Sequence, residues 1–91
     1  MNKHFDVENL YRGRCITVDD LLQLLSKVKR KHGGDTKVIL NNYDYDDLQK
    51  IRHAYTQYIV EWSDGQLEMY DDDNEEMEGM EEVALCLCDY E

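Results

Sequence analysis

The residues best placed to do chemistry are carboxylates. From Asp71 the chain reads DDDNEEMEGMEE, and eight of these twelve residues are acidic. Asp71, Asp73, Glu75 and Glu82 stand at positions 1, 3, 5 and 12 of a calcium-loop template, where side-chain oxygens wrap a hard cation. The template also needs glycine at position 6 for its sharp turn, and Glu76 stands there. The flanks read as strands rather than helices. A solvated acidic loop fits better than a specific calcium site, with weak divalent-metal binding as an alternative. Cys86 and Cys88, two apart on a strand, point the same way and could begin a zinc site. Further ligands would have to come from Cys15, His4, His32 or His53, which follow no ligand spacing. Small buried hydrophobes are the plainer reading of the two cysteines. No GxSxG is present, and Ser26 and Ser63 fall in a helix tail and a turn. Gly33-Gly34 ends a helix instead of cradling a phosphate. Cys–His and carboxylate pairings are too easily made by chance here to name a reaction. The chain reads as non-enzymatic, with no cofactor and no metal site.

What remains is tyrosine set among acids. Tyr43, Asp44, Tyr45, Asp46 and Asp47 form one cluster. Tyr70 leads into Asp71, Asp72 and Asp73, with Glu75, Glu76 and Glu78 close behind, and Tyr90 lies between Asp89 and Glu91. Tyrosines anchor interfaces because they bring large contact area at small entropic cost. Carboxylates around them could take the place of phosphates on the Lys and Arg of a nucleic-acid-binding groove. Tyr43 to Asp47, Tyr70 to Asp73, Glu75, Glu76 and Glu78 are therefore the candidate partner-binding residues. The plainer alternative for any single tyrosine is packing against a sheet.

Charge points the same way. Net charge is -11, and all ten Lys and Arg lie in residues 1–52. Residues 53–91 hold thirteen acids and no Lys or Arg. Such a field repels nucleic acid and anionic lipid and attracts basic proteins. The basic cluster Lys27, Lys29, Arg30 and Lys31 has a structural explanation at a helix C-terminus and lacks the aromatics of a nucleic-acid patch.

Ninety-one residues imply one domain, 1–91, and a 42% hydrophobic content suffices for a core. No run approaches the ~18 apolar residues of a membrane span. The opening MNKHFDVENLYRGR has no apolar stretch of the signal-peptide kind. Three cysteines without a CxxC suit a reducing cytoplasm. Residues 1–14 read as an arm, with a short strand at about 11–16.

Several elements must then position the acidic loop. The stretch ITVDDLLQLLSKVKRKHGG predicts a helix over 17–32, with Thr17 as cap, Asp20 closing a capping box and Ile16 stapled to Leu21. Val18, Leu21, Leu22, Leu25 and Val28 are expected to face the core, and Gly33 to end the helix. Strands are expected at about 36–41, 51–63, 66–71 and 83–90. Val38, Ile39 and Leu40 suggest a strand buried on both faces, as do Val83 to Cys88. Asp64-Gly65 marks a two-residue hairpin that would oppose Trp62 to Leu67, Val60 to Met69 and Glu61 to Glu68. The acidic loop, 71–82, then joins two strands of one sheet. The sum is an α+β, two-layer fold: one N-terminal helix packed on an antiparallel sheet of about four strands.

The pattern ITVDDLLQLLSKVK…GDTKVIL, followed by IRHAY and EEVALCLC, resembles small uncharacterised proteins of phages and prophages over roughly residues 15–88. The small, acidic, motif-free profile also looks like phage anti-defence proteins, including anti-CRISPR inhibitors, some of which imitate DNA. The resemblance implies a bacterial host cytoplasm. The acidic half, the Tyr-Asp clusters and the missing catalytic motif point to an inhibitor or binding module aimed at a basic protein surface, such as a nucleic-acid-binding protein or nuclease complex, with no direct nucleic-acid or membrane contact; the resemblance itself implies a fold more than an activity. It transfers no catalytic residue. The alternative is a structural or accessory protein that self-associates as a homodimer through a sheet edge or face.

Overall fold

The computed structural model of the chain describes residues 8–41 and 48–89. Its elements run β1 (Asn9–Arg12), α1 (Val18–His32), β2 (Lys37–Asn41), β3 (His53–Glu61), β4 (Leu67–Met69), a 3-10 turn (Glu75–Met77) and β5 (Glu82–Cys88). The capping box forms: Asp20 N–H donates to Thr17 Oγ1, and Thr17 N–H donates to the Asp20 carboxylate, each at 3.2 Å. At the other end Gly33, with φ +104°, turns the chain out, and its N–H donates to Lys29 O at 2.9 Å.

β3 sits inside the sheet. β5 flanks it on one side; β1 and β4 share the other, and β2 lies beyond β5. β1, β4 and β5 run antiparallel to β3, whereas β2 runs parallel to β5. β1 and β2 therefore point the same way. α1 is the crossover between them, as a parallel connection requires. It crosses one face and buries Leu24 and Val28 against Ala54, Leu85 and Leu87, with Leu10, Tyr11, Ile16, Leu21 and Ile51 around them. The result is an α+β fold with a helix packed on a mixed five-stranded sheet.

Four expectations are corrected. The sheet is mixed and has five strands, because the helical crossover brings β2 back parallel and because Asn9–Arg12 adds to β3. β2 is an edge strand among the described residues, with Val38 and Leu40 exposed; three apolar residues in a row do not by themselves require two covered faces. α1 turns Leu21, Leu24 and Val28 inward and leaves Val18, Leu22 and Leu25 exposed, since the face it lays on the sheet meets Leu10 and Tyr11 of β1, Ala54 of β3 and Leu85 and Leu87 of β5. The hairpin slips by one residue: Ile59 opposes Met69, Val60 opposes Glu68 and Glu61 opposes Leu67. Trp62 N–H donates to Gln66 O, so the loop holds three residues, Ser63, Asp64 and Gly65. Gly65 takes its positive φ of +87° at the loop's last position, where a three-residue hairpin needs it. A one-residue slip moves every side chain to the other face. Leu67 and Met69 thereby leave the helix side, and Glu61 no longer faces Glu68. β5 is central as expected, with Ala84 to Cys88 all buried.

Candidate partner-binding surface

β4 and β5 lie on opposite sides of β3, so the acidic connection between them must cross β3. It is tied down at both ends. Tyr70 N–H donates to Tyr58 O at 3.0 Å, and Glu82 opposes Ile59 where β5 begins. Between these ties the side chains organise the backbone. Asp71 Oδ1 accepts from Asp73 N–H at 3.0 Å, and Asn74 Oδ1 accepts from Glu76 N–H at 2.9 Å, capping the 3-10 turn. Asp and Asn favour such local bonds, which is why they stand at these corners. Met77 is the inward side chain: it is buried, and its Sδ accepts from Asp71 N–H at 3.3 Å. Around this plug Asp71, Asp72, Asp73, Glu75, Glu76 and Glu78 all stay exposed.

Tyr70 is half-buried at the foot of the loop. Desolvation, followed by the charges of Asp72, Glu78 and Asp71, pushes its phenol above the usual range, so it remains neutral among the carboxylates. Asp71, Asp72 and Asp73 can bring one oxygen each within 4.8 Å of one another, exposed to water. The calcium-template set is not assembled. Glu82 is paired with Lys37, which also reaches Glu61 at 3.4 Å. The hydrogen bond to Glu82 is the main reason the Lys37 ammonium titrates higher than usual. What the loop offers chemically is a dense set of hydrogen-bond acceptors suited to guanidinium and ammonium groups.

Tyr43, Asp44, Tyr45, Asp46 and Asp47 lie outside the described residues, as does Tyr90. Cys86 and Cys88 are buried in β5 while Cys15 is exposed. Burial, followed by Cys88, pushes the Cys86 thiol up to about 11. His53 opposes Cys88 across β3 and β5, but the thiol donates to the His53 backbone carbonyl at 3.7 Å. The His53 ring lies 4.7 Å from that of Tyr55, with Nε2 2.7 Å from Asn9 Oδ1. Ser26 and Ser63 are exposed in α1 and the hairpin loop.

One feature escaped sequence reasoning. On the sheet face away from α1, Ile39, Tyr55, Ile59, Leu67, Met69 and Cys86 line a largely apolar cleft of about 230 Å³. The Gly65 register alone signals it, because only the three-residue loop puts Leu67 and Met69 on this face. Comparison of the chain with protein-family models, curated proteins and solved structures finds no match.

Proposed function

We propose that this protein works by binding rather than by catalysis, using the acidic loop to occupy a basic, nucleic-acid-binding surface of another protein. The observation that carries the reading is the loop itself. Six carboxylates face outward around the buried Met77, on a segment bonded to β3 at both ends. A fixed array costs less conformational entropy on binding than a mobile acidic tail would. The uneven charge supports the same reading, since no Lys or Arg follows Arg52 to neutralise the array. The resemblance to phage anti-defence inhibitors makes a host nuclease complex the class of target.

Such contacts replace phosphates on a basic groove, so binding weakens steeply with salt. The test is affinity capture from bacterial lysate at low salt and at ~0.5 M salt, with the wild type beside a variant carrying D71N, D72N, D73N, E75Q and E76Q. The expected result is a nucleic-acid-binding protein retained by the wild type at low salt, released at high salt and missed by the variant. Equal retention by both proteins at both salt concentrations would overturn the reading.

A further inference from the structure

The structure carries a second surface, away from the acidic loop, whose chemistry is apolar. α1 presents Val18 (74% exposed), Leu22 (59%) and Leu25 (37%) at i, i+4 and i+7, a continuous stripe. Beside it β2 presents Val38 (58%) and Leu40 (60%). Leu25 and Val38 line one groove between helix and strand, so stripe and strand form a single patch. No strand among the described residues pairs with the outer edge of β2. A strand edge that no described strand pairs, beside exposed apolar side chains, is a template for adding another strand.

We propose that the chain forms a two-fold dimer in which β2 pairs antiparallel with β2 of a second copy, extending the sheet through the interface. Three observations favour a second copy as the occupant. The first is register. Centring the pair on Ile39 uses every residue of β2 and sets Val38 against the other copy's Leu40 and Lys37 against its Asn41, with no like charges opposed. The second is charge. α1 is acidic at its start (Asp19, Asp20) and basic at its end (Lys29, Arg30, Lys31). A two-fold axis perpendicular to the sheet sets the two helices antiparallel on the same face. The acidic end of each then lies toward the basic end of the other, and the helix dipoles oppose as well. The third is area. Five large apolar residues, each at least 37% exposed, are gathered on this one face, more apolar surface than scattered single exposures account for. The strand backbone and its flanks extend the contact. Lys37, the one cation of β2, is already held by Glu82 and Glu61 of its own chain.

This surface is independent of the acidic loop, and salt separates the two. An apolar, strand-paired dimer persists at ~0.5 M salt, where binding through the acidic loop is lost. The test is light scattering on the full chain at ~100 µM, since dimer populations depend on concentration. The wild type is expected at twice the protomer mass of 10.8 kDa, at low and high salt alike. V38K/L40K is expected at the protomer mass with an unchanged circular dichroism spectrum. L22K, on the helix stripe, is a second variant that leaves the strand intact, and a loss of dimer there supports the proposal even if V38K/L40K fails to fold. A monomeric wild type overturns the proposal. A dimer that survives both variants overturns it equally, because it must then use another surface.

Discussion

Cys86 holds the middle of the central strand as an uncharged thiol. Its proton is retained more tightly in the fold than in the unfolded chain, where a thiol titrates near about 8.5. The contribution to stability is complete below that value and is lost as pH rises toward about 11. Urea midpoints measured between pH 8 and pH 11 should therefore fall more steeply for the wild type than for Cys86→Ala; parallel curves would contradict this account of the thiol. Accessibility gives a simpler check. A thiol reagent should modify Cys15 promptly in the native protein and reach Cys86 and Cys88 only in denaturant, because only Cys15 is exposed. At the neighbouring position, Leu85 is fully buried between α1 and the sheet. Leu85→Ala should cost about 2–5 kcal/mol in urea unfolding, whereas Leu40→Ala, on the exposed edge, should cost far less.

Elements differ in how plainly the sequence declares them. The helix was legible because its signals are local: Thr17, Asp20 and Gly33 each act within one turn of their own position. Thr17→Ala should accordingly lose about 1 kcal/mol of stability. The hairpin was legible as an event but not in register, since Asp64-Gly65 suits both a two-residue and a three-residue loop, and only the Trp62–Gln66 bond separates them. Gly65→Ala, at φ +87°, should destabilise by about 1–2 kcal/mol. An unchanged urea midpoint would mean that the loop does not need this conformation. The parallel pairing of β2 with β5 was not legible. It joins Lys37 to Ala84 across most of the chain, and nothing in VIL tells an edge strand from a buried one. The inner stripe of α1 was not legible for a related reason. Val18, Leu22 and Leu25 lie on a second apolar face, and sequence periodicity cannot say which of two faces meets the sheet. Of the candidate surface, the acidic stretch was plain from composition. Its ordering by Asp71, Asn74 and Met77 was not, because a plug is defined by what closes over it.

At the scale of the whole molecule, charge is the dominant design. A net -11, concentrated after Arg52, destabilises the compact state by self-repulsion, and the ion pairs of Lys37 with Glu61 and Glu82, and of Glu8 with Lys27 and Lys31, offset only part of it. Moderate salt should therefore raise the thermal midpoint even as it screens those exposed pairs; a midpoint that falls with salt would show the pairs to outweigh the repulsion. The same concentrated charge is the basis of the proposed function, and it makes a demanding claim about geometry: the acidic loop and a nucleic acid must use one and the same groove. Competition on the captured partner tests this most directly. A labelled oligonucleotide bound to that partner should be displaced by the wild-type protein at low salt, and not by the variant with Asp71, Asp72, Asp73, Glu75 and Glu76 neutralised. A ternary complex, in which partner, oligonucleotide and wild-type protein are bound together, would contradict the account.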